Sequence, residues 1–182
     1  MTSVRQQNFL LRKEKILAMA ETLLLDNNQD ITLSELATEL DIAKGTIYKH
    51  FKSKNQLYLE LIILNETRLL EISQKHNNDI KTYVSEYMLY NMLNSNRTIL
   101  LHVIEERLTN NERKLKELFE KLYQIREQRI IEIKDMTSDY LKSLDSAMSI
   151  RDYLSYVWTV TYGASLLLNS THYQKSIGSR ER

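Results

Sequence analysis

The sequence predicts an all-α protein, with short helices grouped near the N-terminus and longer ones after them. Three observations lead there. The 182 residues contain no proline and only three glycines (Gly45, Gly163, Gly178), which leaves almost none of the residues that a sandwich, barrel or doubly wound sheet needs at its tight turns. Apolar residues recur at helical spacing rather than in alternation. Thr/Ser-x-x-Glu/Gln signatures stand where helices should begin.

Composition narrows the chemistry. Without cysteine there is no disulfide framework, thiolate nucleophile or cysteine zinc cluster. Lys and Arg number 25 against 24 Asp and Glu, a net +1, so affinity for nucleic acid must come from local clustering. The N-terminus lacks the apolar run and cleavage site of a signal peptide. The least charged stretch, Tyr153 to Asn169, is interrupted by Ser155, Thr159, Thr161 and Ser165 and is too short for a bilayer. A cytoplasmic protein with no membrane partner is expected.

Taken in order, Ile16, Ala20, Leu23 and Leu24 form one face of a first helix, ending near Asp26, Asn27 and Asn28. Thr32-Leu33-Ser34-Glu35 is a capping box, and behind it Leu33, Leu36, Ala37 and Leu40 form the face of a helix over 33–40. Asp41 and Ile42 interrupt the pattern. A third short helix, about 43–51, buries Ile47 and Phe51 and turns Gly45, Thr46 and Lys49 away. A second capping-box form, Ser53-Lys54-Asn55-Gln56, opens a helix that buries Leu57, Leu61 and Leu64 and runs to about Lys75. Turns at 76–79, 94–96 and 109–111 separate helices of about 80–93 and 97–108. The segment 112–143 puts Leu115, Leu118, Phe119, Leu122, Ile125 and Ile133 on one side and alternating charge on the other. The last strong helix, 149–170, is apolar on more than one face, and the tail from Thr171 is polar and expected to fray. The division expected is a head over 1–53 and a body over 54–182, with helix 54–75 as connector.

Two short helices joined by a tight turn have the shape of a helix-turn-helix, whose second helix enters the major groove. Charge agrees with shape. Between Ala43 and Lys54 lie Lys44, Lys49, Lys52, Lys54 and His50 and no acid, which concentrates +4 on a nearly neutral chain. Such a patch attracts phosphate and releases counterions.

From Ile31 to Leu57 the sequence resembles the DNA-binding head of the TetR family of bacterial transcriptional regulators. The features that carry the resemblance are Thr32, the pair Leu36-Ala37, the triplet Lys44-Gly45-Thr46, and Tyr48, Phe51 and Lys54. It implies that Thr46 and Lys49 face base edges, that Tyr48, His50 and Lys54 contact phosphates, and that Thr32 touches the DNA backbone from the second helix. Lys44 and Gly45 open the recognition helix, and the missing side chain of Gly45 allows close approach to the duplex. Two positions depart from the family pattern. Asp41 stands where glycine is usual, although aspartate tolerates a left-handed conformation, and Ala43 replaces a serine N-cap.

The resemblance further implies a three-helix head followed by a helical-bundle ligand-binding and dimerisation domain, a homodimer on a palindromic double-stranded DNA operator, and a small-molecule effector of unknown identity that releases the repressor. Nine of the 11 tyrosines lie beyond residue 80, beside Trp158, which suits a pocket with apolar walls and scattered hydroxyls. Its ligand-binding residues stay unassigned. The final helix, with Tyr153, Val157, Trp158, Ala164 and Leu168, is the expected dimer face, against part of segment 112–143. No phosphate loop, nucleophile elbow or metalloprotease helix is present, so no catalytic residue, cofactor or metal is expected. The competing reading from another class is a helical interaction module whose basic helix binds an acidic protein.

Overall fold

A computed structural model describes residues 3–27, 30–109 and 113–176, and among these every regular element is a helix. They are α1 (Val4–Asn27), α2 (Leu33–Glu39), α3 (Lys44–His50), α4 (Lys54–Lys75), α5 (Ile80–Leu93), α6 (Ser95–Thr109), a 3-10 turn (Arg113–Leu115), α7 (Lys116–Ser143), α8 (Ile150–Leu168) and α9 (Thr171–Ser176). The turn residues Asn28, Asn110 and Asn111, and Gly178, lie outside the described residues.

Local chemistry sets the boundaries. The Thr32 hydroxyl accepts from the Glu35 amide at 3.1 Å while the Glu35 carboxylate accepts from the Thr32 amide at 2.7 Å, so the capping box is complete. The second box forms differently from expectation. Ser53 Oγ accepts from the Gln56 amide, but the Gln56 side chain accepts from the Lys52 amide, one residue before the cap. Asp41 takes φ 51°, the left-handed conformation the turn demands. Ala43 supplies no side-chain cap to α3. The tail is more regular than expected, since residues 171–176 form α9, although it buries nothing.

Two apolar clusters organise the chain. The first joins Ile16, Ala20 and Leu24 of α1, Leu36 of α2, and Ile47 and Phe51 at and just beyond α3 to Leu57, Tyr58 and Leu61 of α4, and continues through Leu101 and Leu108 of α6 to Leu122 of α7. Burying a side chain of that size is worth about 1.5–3 kcal/mol each. This cluster runs without a break across residue 53 and on into α6 and α7, so one apolar core joins the expected head to the body. The second gathers Leu69 and Ile72 of α4, Tyr83 and Tyr87 of α5, Ile133 of α7, and Leu154 and Val157 of α8. α4, about 33 Å long at 1.5 Å per residue, is the rod shared by both.

Polar ties reinforce the joint. Arg68 of α4 grips Glu21 of α1 through two hydrogen bonds of 2.7 and 2.9 Å, and Arg97 of α6 lies 3.5 Å from the same carboxylate. Burial alone would raise the Glu21 pKa, but the Arg68 pair outweighs it and holds the carboxyl below its ordinary value. Lys13 pairs with Glu60, and Asn96 donates to the Leu25 carbonyl at 3.3 Å.

α8 corrects one expectation. Its buried face is Leu154, Val157, Thr161 and Ser165, so Val157, expected at a dimer interface, lies in the protomer's own core at 4% exposure. Tyr153 is half-buried with its ring edge-on to Tyr140, and Trp158, Ala164 and Leu168 are half-buried as well. The exposed apolar residues are instead Tyr156, Val160, Tyr162, Leu166 and Leu167. The helix is apolar nearly all round, and periodicity alone does not say which face the protomer claims. No helix among the described residues is long and apolar enough to cross a membrane.

Candidate nucleic-acid interface

The α2–turn–α3 unit is held from beneath by residues with no exposure: Leu36, Ile47 and Phe51 are fully buried, and Ile31 enters α2 with its amide donating to the Tyr58 hydroxyl at 3.1 Å. That hydroxyl in turn donates to Asp30 at 2.6 Å. The outward surface is therefore presented on a rigid base. Thr32, Lys44, Gly45, Tyr48 and Lys49 are exposed, and Thr46 and His50 are half-buried. Tyr48 is 49% exposed, which leaves its hydroxyl free to reach outward. A Cβ at Gly45 would meet nothing within 4 Å, so nothing inside the protein requires a glycine there.

The structure divides the basic residues into bound and available charges. Lys54 donates to Asp30 at 2.6 Å and lies over the Tyr58 ring, so its charge is already compensated. Asp30 precedes the acid-free stretch that the sequence defined, and only folding brings it to Lys54. Lys44 hydrogen-bonds the neutral Ser34 hydroxyl at 3.0 Å and has no ion pair among the described residues. Lys49 has no ion pair among the described residues. His50 stacks on Phe9 with ring centroids 4.1 Å apart, and its Nδ1 is buried without a hydrogen-bond partner. Burial first, then the charges of Arg12 and Lys13, hold its pKa below the ordinary histidine value, which favours the uncharged ring.

A second element reaches this surface that sequence reasoning missed. α1 begins at Val4, well before its buried face starts at Ile16, and Arg5, Asn8 and Arg12 come to line a recess with Thr46 and Lys49 of α3. The signal was a helix-compatible basic stretch without a breaker, but without a buried face nothing in it indicated where it would lie.

The body holds a cavity of about 850 Å³ between α4, α5, α6, α7 and α8. Its apolar wall includes Leu69, Leu101, Ile130, Trp158 and Leu166; Glu66, Glu105, Glu106, Arg126 and Arg129 line it too. Arg129 Nε donates to Glu66 at 2.7 Å, and Arg126 donates to Glu66 at 3.0 Å and to both oxygens of Glu105 at 2.6 and 2.8 Å. Within this network Glu66 and Glu105 offset Arg126 and Arg129, while Glu106 adds a third carboxylate to the lining. His102 and Tyr162 meet edge to face at 5.5 Å on the wall. Among the described residues no cluster of His, Asp or Glu is placed to hold a metal ion.

Comparison with known proteins agrees with the geometry of the head. Residues 16–61 match the family described as bacterial regulatory proteins, tetR family. Over 82 residues the chain is 34% identical to the HTH-type transcriptional regulator QacR of Staphylococcus aureus (strain Mu50 / ATCC 700699), a stretch that covers 44% of this chain and 44% of that protein. The match therefore spans less than half the length of the relative.

Proposed function

We propose that this chain, which carries a tetR-family DNA-binding domain over residues 16–61, is a cytoplasmic homodimeric repressor that leaves its operator when a small hydrophobic or amphipathic molecule fills the body cavity. The observation that carries the reading is the outward face of α3, basic and rigidly based, joined by one continuous helix to a cavity-bearing body. Thr46 and Lys49 read bases, while Thr32, Lys44 and Tyr48 grip the DNA backbone. A seven-residue recognition helix contacts too few base pairs to specify a genomic site, which calls for two heads on a two-fold operator.

The exposed stripe Tyr156, Val160, Gly163 and Leu167 on α8 repeats at i, i+4, i+7 and i+11 and supplies a surface for the second protomer. A Cβ at Gly163 would meet nothing within 4 Å, so a partner helix can come close there. Coupling has a physical route. α6 lines the cavity through Leu101, His102 and Glu105, and two residues further on Arg107 lies 3.6 Å from Asp30, which holds Tyr58 and Lys54 at the head. A ligand that shifts α6 moves this joint. It releases DNA only if it binds the non-operator state more tightly, and operator then weakens ligand binding by the same factor.

Trp158, the sole tryptophan, lines the cavity and reports on occupancy. Hydrophobic compounds screened by its fluorescence should include some that raise the melting temperature of the free protein and lower its affinity for duplex DNA. Compounds that fill the cavity and leave duplex affinity untouched would overturn the inducer reading.

A further inference from the structure

The recess between α1 and α3 has a composition suited to one kind of partner. Arg5, Asn8 and Arg12 follow at i, i+3 and i+7, so they share one face of α1, and Thr46 and Lys49 close the other side. Three cations and no acid line it. Arg5, Asn8, Arg12 and Lys49 are all exposed, and among the described residues none of the three cations has an ion pair. This contrasts with Lys13 one position away, which is paired with Glu60, and with Lys54, which is paired with Asp30. Charge left uncompensated in a concave surface is poised for an anion from outside.

The arm is also anchored. Phe9, on the same side of α1, stacks on His50 at 4.1 Å, and His50 ends α3. The half-buried imidazole serves as a flat platform, and the Phe9 ring fixes the first turns of α1 against the recognition helix. Arg5 and Arg12 are about 10 Å apart along the helix axis at 1.5 Å per residue, so their guanidinium groups reach different phosphates.

We propose that the first turns of α1 form, with the outward face of α3, a clamp for the sugar-phosphate backbone of duplex DNA, in which Arg5 and Arg12 hold phosphates, Asn8 donates between them, and the Phe9–His50 stack keeps the arm in place. The clamp rests on the DNA-binding reading of α3 and extends its footprint beyond the helix-turn-helix. It assigns His50 to support of the arm rather than to a charged phosphate contact.

The test is the salt dependence of binding by the full chain to a short random-sequence duplex, followed by fluorescence anisotropy. Arg5→Ala with Arg12→Ala should reduce the slope of log affinity against log salt by about 1.8, or 0.9 per lost phosphate contact, so that between about 50 and 200 mM salt the deficit relative to wild type changes by about tenfold. Lys134→Ala with Lys142→Ala removes the same charge from an exposed part of α7 near the second apolar cluster, and should leave the slope unchanged. Both pairs are exposed, and an unchanged melting temperature verifies the fold. A wild-type slope in the Arg5/Arg12 variant, or an equal loss in the α7 variant, overturns the clamp while leaving the α3 reading intact. Absence of salt-dependent binding by the wild-type protein overturns both.

Discussion

Replacing Glu66 by glutamine should be among the most damaging conservative changes in the body, and the size of the loss follows from its surroundings. Glu66 is 4% exposed and accepts from Arg129 at 2.7 Å and from Arg126 at 3.0 Å. Glutamine preserves shape, so no cavity forms and the effect is electrostatic. Arg126 keeps its two bonds to Glu105. Arg129, 6% exposed, loses its countercharge: the glutamine carbonyl oxygen still accepts a hydrogen bond as a neutral group, and beyond it there remain only the Tyr83 hydroxyl at 3.3 Å and the Tyr87 ring 5.8 Å away. Breaking a buried pair from one side costs about 3–5 kcal/mol, because the remaining charge stays desolvated. For a chain of this length, at about 2–4 °C per kcal/mol, the melting temperature should fall by about 6–20 °C. Glu66→Gln combined with Arg129→Met removes both charges and should recover most of the loss. Urea unfolding of the two single variants and the double variant measures the coupling. A Glu66→Gln protein within about 1 kcal/mol of wild type, or strictly additive losses, would refute the view that this pair is a desolvated unit.

The other expectations concern the head and the partner face. Lys44→Ala, at a residue assigned to the DNA backbone, should lower the salt slope of duplex binding by about 0.9, whereas Lys54→Ala should lower it by less because Asp30 already compensates that charge; a larger slope change for Lys54 would contradict the pairing. His50 has a folded pKa below its unfolded value near 6.5, so the unfolded chain binds the proton first and stability is lost as pH falls below about 6.5. His50→Gln should flatten that part of the melting temperature against pH, and an unchanged profile would show that another group carries it. Val157→Ala should cost about 2 kcal/mol in unfolding without altering assembly, while Val160→Glu should keep the fold and shift sedimentation toward monomer. Assembly lost with Val157 and retained with Val160 would reverse the assignment of faces.

The helices were legible because their ends are written in local chemistry. Thr32 with Glu35, and the polar turns at 76–79 and 94–96, act within a few residues, and so the boundaries of α2, α4 and α5 follow from the chain alone. The turn at Asp41 was legible for the same reason. What sequence could not supply were pairings between distant segments. Lys54 reads as a free cation until folding brings Asp30 beside it, 24 positions away. Arg129 reads as one more charge on the polar side of a surface helix, yet it is buried against Glu66, 63 positions away. The N-terminal turns of α1 carry no buried face, so their approach to α3 left no periodic trace. On α8 the apolar signal was strong but covered too much of the circumference to choose between core and partner, and Val157 fell on the wrong side of that choice.

The most direct measurement for the central claim is selection of bound duplexes from a random pool by the 182-residue chain, followed by binding of the recovered site across a salt series. The account predicts enrichment of a two-fold symmetric sequence bound by a dimer, with affinity falling steeply as salt rises and with base preference at a defined position in each half-site relaxed by Lys49→Ala, at a cost of about 1–3 kcal/mol. Recovery of no common sequence, or of asymmetric sites bound by a monomer with affinity indifferent to salt, would contradict it.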